Sequence, residues 1–488
     1  QQTYLDLITA LNIIQDVRSS PEQRQSAENA VSAFGEVPNA ISYIYYILGT
    51  NSEQHTLFVR HFCLNTLKGI IISKWNKLSK EEKDYIHKLV CDYMKEVIGG
   101  STDANYVHTK FAEVYAELIK REWPQKWPDM YDELKKAMRS SCTQFITGVR
   151  IFQYFLQDVN SEGTDDRLTK ERRQNLKNAF NTIAGDFIRF INFTIPEYAT
   201  NPNIGEIIVT DCVRLYAAMI PPMNLTILKE FLGPILGALD AYTTNDAILP
   251  EILTLLDNLA TVPYTSDTRS LAIQVLKTLL VMYPALQQKF PDPDGDYALY
   301  RSYFIALVDF CVFQRTLLAS WTPSEAPLYE QLQQLVLSLL AFPRLEIVDL
   351  AVDALPTVFP DVSRNDCRAV ARSAEAGVER MLGNLLGCMQ TQNPRHPQFQ
   401  QTHDCGYDFD EQEYLKDYQR FLEEIRKVVV GLTKVYSVTM IKAILTILKT
   451  QYSNNVLLLD ALLTILSSFN RGISANKVNV KAKQELIG

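Results

Sequence analysis

Glycine is scarce in this chain, at 19 of 488 residues, roughly half the ~7% of an average protein. Glycine-cradled phosphate sites and turn-dense sheet folds therefore start at a disadvantage, and no GxxxxGK[ST], GxGxxG, HExxH or GxSxG stretch occurs. Disulfides are equally unsupported. The eight cysteines, at 63, 91, 142, 212, 311, 367, 388 and 405, contain no CxxC, and no charged n-region with an apolar h-region opens the sequence. Both features point to a reducing cytosolic or nuclear compartment. Histidine is limited to His55, His61, His87, His108, His396 and His403. His403 with Cys405 supplies two ligands where a zinc site needs four, so neither a metal nor another cofactor is expected. Acidic pairs such as Asp408 and Asp410 read as a solvated turn, and no catalytic constellation emerges. Apolar runs such as 456–466, broken by Asp460 and Thr464, fall short of the ~20 residues a membrane helix needs, so no membrane insertion is expected.

What is present is core-forming material, with 47% hydrophobic and 21% charged residues, an ordinary globular balance. The net charge of −8 argues against a surface that is basic all over, while leaving room for a local basic groove. Helical periodicity recurs along the chain between short polar or proline-containing turns, and no convincing strand pattern is found. Ser20, Pro21 and Gln23 read as N-cap, first helical position and capping-box partner; Ser79 with Glu82, and Thr322, Pro323 and Glu325, repeat the arrangement. Ile248, Ile252, Leu255, Leu256 and Leu259 form the wide apolar stripe of a covered helix, with Asn245 as its expected cap.

Breaks are expected near 99–105, 160–169, 196–205, 291–296, 360–365 and 390–406. The stretches between them divide into helix pairs of the ~40 to 47 residues typical of antiparallel-helix solenoids, which predicts about ten or eleven pairs. The fold class predicted is all-α, a right-handed superhelical α-solenoid of HEAT repeats, armadillo-like. Two or three compact helical bundles are the alternative. The segment 390–406, Gln-rich with two prolines, reads as a long loop within one array.

Two segments carry more information than the rest: VRHFCLNTLKGIIISKWNKLSKEEK from Val59, and LIKREWPQKWPDMYDELKK from Leu118. Together they resemble the N-terminal region of β-karyopherins. The first is similar to a long inner helix ending in Lys-Trp, and the second to a REWPxxWPDM signature in the form closest to the exportin-5 family. YDFDEQEYLKDY, 407–418, resembles the acidic stretch that follows a variable loop in that family, and KERRQ, 170–174, an Arg-rich helix start. The likeness is specific over 52–158 and loose over about 200–390. Family members are more than twice as long, so the chain is expected to be the N-terminal half of one.

The resemblance implies residues 1–158 as Ran-binding repeats of importin-β N-terminal type and 159–488 as exportin-type repeats. It also implies a shuttling, monomeric nuclear export receptor, without enzymatic activity, that binds Ran-GTP and cargo cooperatively and meets nucleoporin FG repeats. Inner-helix residues Asn65, Lys68, Lys110, Glu113 and Glu117 are the implied Ran contacts. Lys170, Arg172, Arg173 and Lys177 cluster near a helix start and, on the same resemblance, would meet structured RNA such as hairpin precursors by backbone shape; protein cargo is the other option. An import receptor of the same superfamily and a Ran-independent helical scaffold remain the alternatives. Trp123, Pro124, Trp127 and Pro128 are expected to fill the corner between successive helix pairs rather than to bind a ligand.

Overall fold

The computed structural model describes residues 2–50, 55–98, 105–161, 168–243, 245–289, 296–361, 370–396, 411–451 and 456–475. Among these, the regular elements are helical and no strand occurs. The chain divides into two compact units, Gln1–Ala241 and Tyr242–Gly488. The expected boundary at 158/159 falls in the last turn of a helix of the first unit. Most of the expected breaks, together with His403, Cys405, Asp408 and Asp410, lie outside the described residues.

In the first unit the α-helices are α1 (Gln2–Gln15), α2 (Pro21–Ser32), α3 (Ala40–Tyr45), α4 (Leu57–Lys74), α5 (Lys80–Asp92) and α6 (Asn105–Glu122). They continue as α7 (Met130–Met138), α8 (Cys142–Asn160), α9 (Lys170–Tyr198), α10 (Gly205–Met219) and α11 (Leu225–Leu239). Helices α4, α6, α8 and α10 pack one against the next in a row. Helices α3 with α5, and α9 with α11, pack on the other side of that row, and α7 lies against α8. Each helix meets mainly its near neighbours in sequence, which is the two-layer logic of a HEAT array and excludes a bundle closing on one centre.

The second unit repeats the logic. Its helices are α12 (Leu249–Ala260), α13 (Arg269–Lys289), α14 (Tyr297–Phe313), α15 (Arg315–Leu318), α16 (Ala326–Leu339), α17 (Leu345–Val358), α18 (Ala371–Thr391), α19 (Glu411–Gln451) and α20 (Val456–Ala475). One row runs α12, α14, α17, α19, and a second runs α13, α16, α18, α20. Helix α19 is two helices joined across a kink at Tyr436, whose hydroxyl donates to the Pro360 carbonyl.

The local signals behave as their chemistry requires. Ser20 Oγ accepts from the Gln23 N–H at 3.2 Å and Gln23 Oε1 accepts from the Ser20 N–H at 2.9 Å; Ser79 with Glu82 repeats this at 3.2 and 2.8 Å. Thr322 and Glu325 form the third box. Asn245 does not cap α12: its carbonyl closes a turn to Ile248 and Leu249, and Ile248 takes the cap position because Pro250 sits in the first helical turn. Pro196 lies inside the last turn of α9. The scarce glycines can sit where bulk is forbidden, as at Gly205, where a Cβ would run into the Ala199 carbonyl.

The membrane expectation needs correcting for length. Three helical stretches, Ser266–Gln288, Gln412–Thr450 and Val456–Ile473, are long and apolar enough to cross a bilayer by length and composition. Helix α20 continues through Ser467 and Ser468, where the apolar run seemed to stop. It carries its buried apolar side chains, Leu458, Ala461, Leu462, Ile465, Phe469 and Ile473, at steps of one, three and four, with Ser468 buried among them, the stripe of a helix packed on neighbours.

A recurring tie joins successive repeats. Gln144 Nε2 donates to the Met94 and Lys95 carbonyls at 3.1 and 3.2 Å. Gln314 Nε2 does the same to Ala260 and Val262 at 2.8 and 2.7 Å, and Gln392 Nε2 to Phe342 and Pro343 at 3.2 and 2.9 Å. All three glutamines are buried.

The REWPxxWP segment is the corner that was expected. Trp123 and Trp127 are buried, Trp127 lying 4.3 Å from the His87 ring and 5.4 Å from Tyr115. His87 Nδ1 meets Glu122 Oε2 at 2.8 Å, so the Glu of the signature holds α5 to α6. Truncating Trp127 to Ala is expected to cost about 3 to 5 kcal/mol, measured by denaturant unfolding; an unchanged midpoint would refute the corner role. Hydrogen bonds to the Cys91 thiol and to Glu122 hold His87 protonated up to about 10. A folded-state value above the ordinary ~6.5 means that the associated stability is complete below ~6.5 and is lost as pH rises through the folded-state value. Thermal melts of wild type should therefore decline between those limits more steeply than melts of His87→Gln.

Candidate functional site

The first unit brings the implied inner-helix residues together on α4 and α6. Asn65 is exposed on α4. One turn on, Lys68 Nζ donates to Glu113 Oε2 of α6 at 2.8 Å, and Lys110 Nζ, one turn before Glu113, donates to the same oxygen at 2.8 Å. The two lysines and the glutamate are each partly exposed, at 28%, 19% and 19% of their side chains, so the triad is reachable from solvent. Burial pushes the Glu113 carboxyl up, but the hydrogen bonds and charges of Lys110 and Lys68 outweigh it and hold the group below its usual range. His61, one turn before Asn65, is held below its ordinary value by burial and then by the Lys110 charge.

Glu117 is different. It is buried, and its Oε1 accepts from Lys120 Nζ at 2.7 Å while Lys120 also reaches Asp158 Oδ2 at 2.6 Å. The helical step from Glu113 to Glu117 rotates the residue under α8, so Glu117 is a buried ion-pair partner and not a surface contact.

Beside the triad opens a cleft of about 720 Å³ lined by His61, Asn105, Tyr106, Thr109, Lys110 and Glu113. Two of its lining residues are held from α8: Arg150 Nη1 donates to Asn105 Oδ1 and, at 3.2 Å, to Thr109 Oγ1, while Arg150 Nε is paired with Asp211 Oδ2 of α10 at 2.7 Å. Neither Arg150 nor Asp211 stands out in the sequence, because nothing local marks an ion pair spanning 61 residues. Asn105 and Thr109 precede Glu113 by successive steps of four on α6, which is the signal that could have found them.

The basic cluster at the start of α9 has another occupation. Arg172 Nε and Nη2 donate to the Lys120 carbonyl at 3.1 and 2.9 Å, and Nη2 also reaches the Trp123 carbonyl. Arg173 is buried and Nη1 donates to the carbonyls of Asp158 and Ser161. The two guanidiniums thus close the C-terminal ends of α6 and α8, where helix carbonyls lack partners and the dipole favours a cation. Of the four residues implied for RNA, Lys170 is exposed and Lys177 half-buried, and these two remain at the surface.

Residues 104–276 match the family model of the exportin 1-like proteins, and residues 27–96 match the importin-beta N-terminal domain. The triad joins the two matched segments, with Lys68 in one and Lys110 and Glu113 in the other. Exportin-5 of Mus musculus is 27% identical over 216 residues, covering 42% of this chain and 16% of that protein. Exportin-5 of Homo sapiens is 26% identical over 267 residues, covering 52% and 20%. The chain therefore matches a fifth or less of the length of these curated relatives. A solved structure, that of Kap121p, aligns at a TM-score of 0.47 and 13% identity over 100% of this chain and 51% of that one. The two family matches and the exportin-5 relatives together support a karyopherin of exportin-5 type, over the N-terminal region of that family.

The capping role of Arg172 has a measurable consequence. Its replacement by Ala strips charge-assisted hydrogen bonds from the end of α6 and should cost about 2 to 3 kcal/mol, whereas Lys170→Ala should stay within about 0.5 kcal/mol of wild type. Equal unfolding free energies for the two variants would show that the carbonyl contacts carry nothing.

Proposed function

We propose that this chain is the N-terminal part of a nuclear export receptor that binds Ran-GTP and cargo cooperatively and shuttles between nucleus and cytoplasm. The observation carrying this reading is the convergence of Lys68 and Lys110 on Glu113 between α4 and α6, at a solvent-open cleft within the segments that match the importin-beta N-terminal and exportin 1-like models. Asn65, Lys68, Lys110 and Glu113, within residues 1–158, are the proposed Ran contacts; Glu117, buried against Lys120, is left out of the contact. Cargo is structured RNA, protein or both, with Lys170 and Lys177 as the cationic contribution of the α9 start. Residues 159–488 belong to the cargo-bearing repeats. GTP hydrolysis belongs to Ran in this scheme, so the chain has no catalytic role. FG repeats of nucleoporins are the further partners, and the receptor works as a monomer without membrane insertion.

Export and import differ in sign. Binding of Ran-GTP raises cargo affinity in an exporter and lowers it in an importer, by a coupling of typically ~1 to 3 kcal/mol. A pull-down with Ran-GTP or Ran-GDP, with and without a hairpin RNA, separates the two, and a scaffold would ignore the nucleotide altogether. The double variant Asn65→Ala, Lys68→Gln should weaken Ran-GTP binding about tenfold, or ~1.4 kcal/mol, in calorimetry on the folded protein. Unchanged affinity would remove α4 from the contact.

A further inference from the structure

The cleft beside the triad has a mostly apolar lining, and the polar groups of Asn105 and Lys110 at its rim are hydrogen-bond donors. Asn105 spends its Oδ1 on Arg150, so its remaining polar group, the NH2, can only donate. Thr109 Oγ1 donates to the Asn105 carbonyl at 3.0 Å and accepts from Arg150, so its hydroxyl is already oriented. Lys68 and Lys110 bring two ammonium groups, which only donate, and share a single carboxylate oxygen. Arg150 pairs with Asp211, which Arg214 also approaches at 3.4 Å, and the triad beside the cleft itself keeps two cations against one anion. Tyr106 and His61 form an aromatic wall, with ring centroids 5.5 Å apart, that fits an aliphatic stem better than a phosphate.

We propose that the cleft receives a carboxylate side chain, Asp or Glu, from the protein partner, and that this carboxylate takes Lys110 from Glu113. Glu113, placed at the contact above, then takes part as the resident counter-ion that keeps two lysines ordered in the free receptor, and the partner's acid displaces it from Lys110 instead of bonding to it. Asn105 donates a second hydrogen bond to the incoming acid, held in place by Arg150. The inference rests on the Ran-GTP reading above and adds the chemistry of the contact and two residues, Asn105 and Arg150, outside the family-implied set. A carboxylate is favoured over an RNA phosphate because the two lysines already hold one and the His61–Tyr106 wall suits its aliphatic stem.

The exchange gives Glu113→Gln an unusual sign. Removing the resident acid leaves both lysines free for the partner, so affinity for Ran loaded with a non-hydrolysable GTP analogue should rise about three- to tenfold, steeply reduced by salt. Lys110→Gln should weaken binding about tenfold, and Asn105→Ala, at an exposed rim position that leaves the Arg150–Asp211 pair intact, about threefold. Calorimetry on the full chain, with melting curves to verify folding, reads all three. Weaker or unchanged binding by folded Glu113→Gln would overturn the exchange. If that variant fails to fold, unchanged affinity in Asn105→Ala overturns the site by itself. A hairpin RNA that responds to Glu113→Gln while the GTPase does not would also overturn it. Wild type that binds no Ran-GTP removes the function on which the inference stands, whereas wild-type binding that none of the variants alters removes the inference alone.

Discussion

A helix leaves its last carbonyls without partners, and in an array of paired helices those ends are partly covered by the next repeat, away from water. The protein meets this constraint by sending a donor across from roughly fifty residues away. Gln144 and Gln314 each bridge two carbonyls at or just past a helix end, Gln392 bridges two carbonyls of the loop between α16 and α17, and Arg172 and Arg269 bring guanidiniums to helix ends, as Arg173 does from only 12 to 15 residues away. Packing of apolar stripes holds the layers together, but it is directionless. These ties set how far one pair may slide along another, because a slip of one residue would leave two buried carbonyls unpaired at about 1 to 3 kcal/mol each.

The same constraint shapes the site. Row α4, α6, α8, α10 is joined by Lys68 to Glu113, by Arg150 to Asn105 and Thr109, and by Arg150 to Asp211, so every joint in that row has a polar component. Since each helix touches mainly its neighbours, a change at one joint is passed along the row and not diluted into a common core. On the proposed function this is the useful property, since a partner that rearranges the α4–α6 joint acts directly on the register of the helices that follow.

Signals confined to one turn or one helix were legible in the sequence. The capping boxes at Ser20, Ser79 and Thr322, the apolar stripe of α12 and the burial of Trp123 and Trp127 all follow from residues within a few positions of each other. Signals that depend on a distant neighbour were not. Arg172 and Arg173 look like a phosphate-binding cluster until the ends of α6 and α8 are placed beside them, and Glu117 looks like a solvated acid until Lys120 and Asp158 close over it. Asn245 resembles a cap because Asn is the common residue there, yet Pro250 moves the helix start past it. Arg150 was invisible for the same reason, since its meaning lies in Asn105 and Asp211 on other helices.

The Arg150–Asp211 pair shows what such a contact is for. Both side chains are less than a tenth exposed, and taking two charges out of water costs several kcal/mol per ion that mutual attraction only partly returns. Well-packed apolar residues could join α8 to α10 at equal or greater stability. They could not at the same time hold Asn105 Oδ1 and Thr109 Oγ1, and without that hold the amide at the cleft rim would turn freely and lose its fixed donor. The ion pair is therefore better understood as an anchor for the far end of the guanidinium than as a stabilising bond, and the polarity of the cleft is decided one helix away from its surface.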